Sequence, residues 1–239
     1  SSMKIIQLQG IRSGVGTSFV AAALAYRLSV SNVRVLAVNA NPSAFSLDQS
    51  FNLPMDLTDN WVADVLSGCS VFSHRYRYNE LLDVLPAGVD GSGTPIDWDR
   101  AIETLLREAD GHYDYLVVDA GVMDASQADA LRAKASIIID VMEAEANSLM
   151  RLIRHRPSSQ NEYYLFNKVW PLSRTQSDVS AFIQRYSQFV KRLVPLSVPY
   201  DEYALQSSLY KQPITQSMFF SESAEQLNHI ATWIKQKLL

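Results

Sequence analysis

Gln9-Gly10-Ile11-Arg12-Ser13-Gly14-Val15-Gly16-Thr17-Ser18 follows an apolar run and leads into an Ala/Leu-rich segment over residues 19–28. A strand, a glycine turn and a helix in this order form the setting of a phosphate-binding loop, where backbone N–H groups converge on phosphate oxygens at a helix N-terminus. The strict pattern G-x-x-x-x-G-K-[ST] is not met, because Thr17 replaces the lysine and Ile11 the first glycine. The stretch indicates a phosphate loop, with a ligand-free glycine turn as the alternative.

Length and composition indicate one globular domain. The chain has 239 residues, 47% hydrophobic and 19% charged, with a net charge of −4. This charge argues against a nucleic-acid binder held by bulk charge, and no apolar run approaches the roughly 20 residues of a membrane helix. Cys69 is the single cysteine, so no internal disulfide forms, and we expect it to be buried. We expect a cytoplasmic protein with a single domain over residues 3–239, Ser1 and Ser2 being an addition before Met3.

Apolar runs alternate with helical patterns along the whole chain. The runs are typical of strands covered on both faces, and the segments between them carry apolar residues at helical spacing. The expected strands cover residues 4–9, 33–38, 81–85, 115–119, 135–142, 162–169 and 193–198, and the expected helices cover 19–29, 60–66, 97–109, 126–134, 144–154, 175–190 and 221–239. This alternation predicts an α/β fold of three α/β/α layers, with a mostly parallel sheet covered by helices on both faces.

Asp119 ends the run Tyr115-Leu116-Val117-Val118, at the expected carboxyl end of a strand. A carboxylate in that place holds Mg²⁺ through water beside a phosphate loop, which is the Walker B arrangement. Ligands of open parallel sheets bind beyond the carboxyl ends of the strands, where Arg12, Asn39 and Asn41 are also expected. The two motifs together predict a nucleotide site and a P-loop fold.

Residues 12–18, Arg-Ser-Gly-Val-Gly-Thr-Ser, resemble the deviant Walker A motif, K-G-G-x-G-K-[ST], of the MinD/ParA family of P-loop NTPases. In that family the early lysine reaches across a dimer to the partner's nucleotide, and the resemblance gives this role to Arg12. It gives Ser18 the hydroxyl that contacts Mg²⁺, whereas the second lysine is lost at Thr17. The resemblance implies ATP and Mg²⁺ as cofactors and an ATP-dependent homodimer.

Asn39-Ala40-Asn41-Pro42 lies where MinD/ParA proteins carry Asp-x-Asp-Pro after an apolar strand. The first of those aspartates helps to organise the metal, and the second positions the attacking water. An amide supplies no charge to Mg²⁺ and does not act as a base. We therefore assign no catalytic residue, and Asn41 stands at the water-activating position. Two polar residues that merely end a strand are the alternative.

Two further segments resemble the part of the family's site that borders the base. Asn167 stands where the family reads the adenine edge with an amide, which offers both a donor and an acceptor, and Pro199-Tyr200-Asp201 resembles the segment beside the base. The resemblance thus implies the nucleotide-binding residues Arg12, Ser13, Gly14, Val15, Gly16, Thr17, Ser18, Asn167, Pro199, Tyr200 and Asp201, and the metal-site residues Ser18, Asn39 and Asp119.

Within the family, the run from Leu8 to Thr17, with arginine and threonine in place of both lysines, resembles the BcsQ branch of bacterial cellulose-synthase operons. This resemblance implies a cytoplasmic protein peripheral to the inner-membrane synthase, with BcsR, BcsE and cellulose synthase BcsA as partners. Neither nucleic-acid binding nor direct membrane insertion is expected. Residues 74–78 interleave aromatic and basic side chains and are expected to form a surface hairpin or a partner-binding edge.

Three functions stay open on the sequence. The first is an ATP-binding, dimerising regulatory or assembly protein of the cellulose synthase complex. Its hydrolysis would be impaired or absent, since Thr17 and Asn41 lack the charges on which phosphoryl transfer depends. The second is an active MinD/ParA-type positioning ATPase, and the third is a scaffold that binds no nucleotide. The basic residues over 151–156 are interpreted as the complement of a helix C-terminus.

Overall fold

Seven strands form one sheet in the computed structural model, which describes residues 2–41, 46–88, 95–157, 160–170 and 172–239. The strands are β1 (Lys4–Gly10), β2 (Val35–Asn39), β3 (Tyr76–Arg77), β4 (Leu82–Leu85), β5 (Tyr115–Val122), β6 (Ile137–Met142) and β7 (Glu162–Phe166). Their order is β3-β4-β2-β5-β1-β6-β7, and only β3 runs antiparallel to its neighbour. The sheet places the carboxyl ends of β1, β2 and β5 side by side.

Helices connect the strands and cover both faces of the sheet. They are α1 (Thr17–Ser29), α2 (Ser46–Ser50), α3 (Trp61–Leu66), α4 (Trp98–Ala109), α5 (Ser126–Arg132), α6 (Ala146–Arg154), α7 (Arg174–Gln184), α8 (Ser187–Val190), α9 (Glu202–Tyr210), α10 (Ile214–Ser217) and α11 (Glu222–Lys237). This arrangement confirms the predicted α/β fold with a mostly parallel sheet. No described helix is both long and apolar enough to cross a membrane.

Period-two alternation along the buried strands divides the core into two layers. On β2, Val35 and Ala37 belong to the layer that holds α1 and α11, whereas Leu36 and Val38 belong to the layer that holds α3 and α4. All four side chains are buried, which explains why the strand is a continuous apolar run rather than an alternating one. The two layers fix the sheet between helices and so hold the ends of its strands in place.

Three expectations about local structure are wrong. The segment 193–198 is not a strand, because the bridges at its two ends, of Leu193 to Tyr164 and of Pro199 to Val169, are isolated and form no continuous ladder. The helix expected over 175–190 is two helices, since α7 ends at Gln184 and α8 begins at Ser187. Cys69 is exposed, because it lies in the turn just after α3, where apolar packing ends.

β3 lies at one margin of the sheet and pairs antiparallel with β4, so that Tyr76 faces Val84 and Arg77 faces Asp83. This agrees with the surface hairpin that was one expectation for residues 74–78, whereas partner binding there stays a prediction. At the other margin, residues 193–198 form single backbone hydrogen bonds to β7, with Val194 N donating to Tyr164 O at 2.9 Å and Val198 N to Phe166 O at 2.9 Å. Each margin is therefore lined by a short, irregular piece of chain.

Candidate nucleotide site

The phosphate loop runs from the end of β1 to the start of α1. Gly14 and Gly16 have φ of +82° and +92°, a backbone region that favours glycine. A Cβ on Gly10 would lie 2.7 Å from both Arg12 O and Thr17 Oγ1, so the loop closes too tightly for any other residue. The loop borders a cleft of about 430 Å³, lined by Arg12, Ser13, Gly14, Gly16, Thr17, Ser18, Phe19, Asn41, Gly121, Val122 and Lys168.

Ser18 and Asp119 meet at the floor of this site, as the sequence predicts. Ser18 Oγ donates to Asp119 Oδ2 at 2.6 Å, and the Gly121 N–H donates to Asp119 Oδ1 at 3.1 Å. Asp119 is fully buried, and this burial raises the pKa of its carboxyl above the ordinary value. A buried carboxylate beside a serine hydroxyl is a donor set that suits Mg²⁺.

Arg12 is held by two acidic side chains of its own chain. Its Nη2 lies 3.0 Å from Glu143 Oε2, and its Nε lies 3.0 Å from Glu145 Oε1. Glu145 also caps the N-terminus of α6 by accepting from the N–H groups of Asn147 and Ser148. The guanidinium is partly exposed, with 24% of the side chain accessible, and it lines the cleft. Arg12 is thus positioned beside the phosphate loop while it is paired within the chain.

Both polar atoms of the Asn39 side-chain amide form hydrogen bonds. Its Oδ1 accepts from the Asn41 N–H at 2.8 Å, and its Nδ2 donates to Asp48 Oδ1 at 3.0 Å. Asn41 lines the cleft, and Pro42 lies outside the described residues. Burial raises the pKa of Asp48 to about 6. The hydrogen bond from Asn39 acts in the opposite direction and lowers this pKa, whereas the nearby charge of Asp119 raises it. A metal role for Asn39 stays a prediction, and Asp48 is a buried acid that the motif comparison did not single out.

Asn167 and Lys168 reach the phosphate loop from the end of β7. Asn167 Nδ2 donates to Val15 O at 2.8 Å, and Lys168 Nζ donates to Gly14 O at 2.7 Å. Val15 itself is buried. The sequence predicts Asn167 at the adenine edge, and that role stays a prediction. It misses the placement of Lys168, although the Asn-Lys pair directly after a strand was the signal available. Lys168 brings a cation to the cleft that Thr17 does not supply.

The segment Pro199-Tyr200-Asp201 lies outside the lining of the cleft. Tyr200 stacks on Trp170 with ring centroids 4.3 Å apart. Asp201 accepts from the Ala204 N–H at 2.9 Å and from Ser223 Oγ at 2.7 Å, so its carboxylate caps α9 and ties it to α11. Pro199 O accepts from the same Ser223 hydroxyl. A role of these three residues in binding the base stays a prediction.

The family model described as cellulose biosynthesis protein BcsQ matches residues 3–234. The chain belongs to the BcsQ family. It is 28% identical over 240 residues to the cellulose biosynthesis protein BcsQ of Escherichia coli (strain K12), covering 97% of this chain and 94% of that protein. The BcsQ-family match extends over both the phosphate loop and Asp119, so the site described above lies within the family's own sequence.

Solved structures place this BcsQ-family chain in the MinD/ParA fold. A ParA family ATPase from Chlorobium tepidum TLS superimposes with a TM-score of 0.75 at 20% identity, covering 96% of this chain and 98% of that one. The septum site-determining protein MinD from Pyrococcus horikoshii OT3, solved in complex with Mg-ADP, gives a TM-score of 0.73 at 19% identity and covers 98% and 96%. At these identities the likeness concerns the fold, which the sequence predicted.

Proposed function

We propose that the chain is an ATP- and Mg²⁺-binding subunit of a bacterial cellulose synthase complex, dimerises when ATP is bound, and hydrolyses ATP slowly or not at all. The contact of Ser18 Oγ with Asp119 Oδ2 at 2.6 Å carries the proposal. It sets a hydroxyl and a buried carboxylate side by side at the N-terminus of α1, where backbone N–H groups and the helix dipole favour phosphate. The Mg-ADP complex of the Pyrococcus protein of like fold supports the same choice of ligand.

Lys168 and Arg12 supply the positive charge for the phosphates in this proposal. Both line the cleft, and Lys168 Nζ, which bonds to Gly14 O at 2.7 Å, would exchange this carbonyl for a phosphate oxygen. Arg12 would leave its own carboxylates to reach the nucleotide of a second copy. These two cations take the place of the lysine that is missing at Thr17.

The hydrolytic step lacks a base in the proposed site. Asn41 stands where the family places a water-activating aspartate, and an amide neither accepts a proton nor orients water as a carboxylate does. The loss of that group and of the loop lysine removes several kcal/mol of transition-state stabilisation, on the order of 10³-fold in rate. We therefore propose that ATP serves to assemble the dimer, and that turnover is incidental to it.

The proposed setting is peripheral to the inner-membrane synthase, with BcsR, BcsE and the synthase subunit BcsA as partners beside the second copy. Membership of the BcsQ family supports the cellulose pathway. Co-expression of the chain with each candidate, followed by affinity capture with and without ATP, tests these pairings one by one.

Light scattering with and without ATP and Mg²⁺ tests the proposal directly. We expect a monomer that becomes a dimer only when both are present, and a phosphate-release rate at the buffer background. Arg12→Ala is expected to prevent dimerisation but to retain ATP binding, and Lys168→Ala to weaken ATP binding about tenfold, the loss of one charged hydrogen bond.

Lys134→Ala is the matched control, because it removes an exposed lysine at the end of α5 that does not line the cleft. Steady hydrolysis of ATP would instead support the alternative function, an active MinD/ParA-type positioning ATPase. A failure to bind Mg-ATP, measured by calorimetry on the same preparation, would establish the scaffold that binds no nucleotide.

A further inference from the structure

A row of polar side chains lies buried on one face of β1, β6 and β7. Gln9 is level with Asp140, and Asp140 with Tyr164, across the three parallel strands. Glu162 is two residues before Tyr164 and therefore projects from the same face. All four residues are at most 1% exposed. This row lies on strands next to the phosphate loop but contains none of the residues that line the nucleotide cleft.

His155, the residue after α6, completes the row at its open end. His155 Nε2 lies 2.6 Å from Glu162 Oε2. Asp140, His155 and Glu162 each offer one ligand atom, and these three atoms all lie within 4.8 Å of one another. Donor atoms that share one metal ion stand at most about 4–5 Å apart, twice a metal–ligand bond. Small movements of these side chains therefore suffice for all three to reach a common ion.

Unsatisfied oxygen atoms point to the same place. Asp140 Oδ2, Glu162 Oε1 and the Tyr164 hydroxyl are buried and receive no hydrogen bond from a donor group among the described residues, and the carboxyl groups of Asp140 and Glu162 lie within hydrogen-bond reach of each other. A buried oxygen without a hydrogen-bond donor destabilises the folded chain, so three such oxygens in one cluster indicate a missing electropositive species.

Two described arginines act electrostatically on this row, Arg132 on Asp140 and Arg192 on Tyr164, but neither donates a hydrogen bond to the three unpartnered oxygens. Arg132 influences Asp140 electrostatically, but its Nη1 bonds to Asp129 Oδ1 at 3.1 Å and its Nη2 to Met123 O at 2.9 Å. Asp140 instead accepts from the neutral Gln9 amide at 2.7 Å. Two buried carboxyl groups and an imidazole match the donor preference of a divalent transition-metal ion.

We propose that Asp140, His155 and Glu162 bind a divalent metal ion of the Zn²⁺ type, separate from the Mg²⁺ of the nucleotide site. The Tyr164 hydroxyl lies beside the ion as a fourth polar group. Of the three proposed ligands, His155 also lines a cleft of about 580 Å³, which is the proposed route of entry. Arg151, Arg154 and Arg156 line the same cleft and repel a free cation, so ion uptake becomes faster as added salt screens them.

Cobalt titration without nucleotide tests this site, because tetrahedral Co²⁺ absorbs visible light and Zn²⁺ displaces it. The protein is first dialysed against a chelator, and Cys69→Ser is used throughout, since the exposed thiol is itself a zinc ligand. We expect one ion per chain by elemental analysis and a rise in Tm with Zn²⁺. Glu162→Gln and His155→Ala are expected to weaken binding by at least about tenfold.

His229→Ala is the control, because that exposed histidine lies 3.9 Å from Glu225 and represents adventitious surface binding. It is expected to leave the cobalt spectrum unchanged. Less than one ion per wild-type chain, with Tm insensitive to Zn²⁺, would overturn the proposal and indicate that the two carboxyl groups share a proton. Equal affinity of Glu162→Gln, which keeps the shape of the side chain, and the wild type would overturn it as well.

Discussion

Arg12 is paired with Glu145 within one chain, Nε to Oε1 at 3.0 Å, and the same guanidinium reaches Glu143. An arginine that acts on a second copy's nucleotide must first break these contacts. Although partial burial opposes it, hydrogen bonds from Ser148 and Arg12 hold the pKa of Glu145 below its usual range. The pair is therefore fully ionised at neutral pH, and dimerisation competes with it.

Removing one of these carboxylates is expected to favour the dimer. In Glu143→Gln the guanidinium loses one charged partner, worth about 0.5–1 kcal/mol at a partly exposed site, so the dimer Kd in ATP should fall about two- to fivefold. Sedimentation equilibrium in Mg-ATP measures it. Glu103→Gln, an exposed change on α4, is the control, and a dimer weakened by Glu143→Gln would refute the competition.

Asp119→Asn separates metal binding from stability. The change keeps the shape of the side chain but removes the negative charge beside Ser18, so Mg²⁺-dependent ATP binding should weaken at least about tenfold. The free energy of unfolding should change by less than about 1 kcal/mol, because loss of a desolvated charge offsets a poorer hydrogen bond. Calorimetry and urea unfolding measure the two effects. Asp124→Asn, exposed just beyond β5, should alter neither, and unchanged Mg-ATP affinity in Asp119→Asn would exclude the proposed metal site.

Asp48 is expected to make the fold less stable as pH rises. Its pKa is about 6 in the folded chain, against 3.8 as the ordinary value, chiefly because of burial. The folded state thus holds a proton more tightly than the unfolded state, and stability falls between about pH 4 and pH 6 by about 1–3 kcal/mol. Asp48→Asn should remove this slope and stabilise the protein at neutral pH. Urea unfolding across this pH range measures it, with exposed Asp56→Asn as control; an unchanged slope in Asp48→Asn would contradict the assignment.

Gly16 and Asn167 are expected to be coupled by packing. A Cβ on Gly16 would lie 2.4 Å from Asn167 Nδ2, whereas a Cβ on Gly14 meets only Arg12 Nη1 at 3.6 Å. Both glycines have similar positive φ, so Gly14→Ala should show the backbone strain alone, about 1–2 kcal/mol. Gly16→Ala should cost more, and Asn167→Ala should relieve the excess in the double variant. Urea unfolding measures the losses. Equal losses in the free energy of unfolding for the two glycine variants would show that Asn167 moves away from the added Cβ without cost.

The fold was predictable because short stretches of sequence indicate its strands, helices and phosphate loop. Apolar runs such as β2 are continuous where both faces are covered, and glycines mark the phosphate loop. The segment 193–198 was not predictable as irregular, because its pairing depends on which neighbours β7 offers. The strand propensity of residues 193–198 alone does not indicate how they pair with β7.

The contacts of the candidate site were predictable only in part. Ser18 and Asp119 lie at motif positions, so their meeting follows from the order of the strands. The pairing of Arg12 with Glu143, and the reach of Lys168 to Gly14, join residues more than a hundred positions apart. Such pairs depend on side-chain directions after the sheet has formed. The raised pKa of Asp48 likewise arises from burial, which the neighbouring residues in the sequence do not indicate.

The irregular margins of the sheet restrict how this protein combines with others. A strand with free N–H and C=O groups is a template for another chain to add to, and that route leads to aggregation as readily as to function. Here β3 is two residues long and carries Arg77, and β7 is bordered by a segment that contains Pro195 and Pro199. Strand addition is blunted at both margins. Complexes of this chain should therefore form through side-chain surfaces and dissociate reversibly.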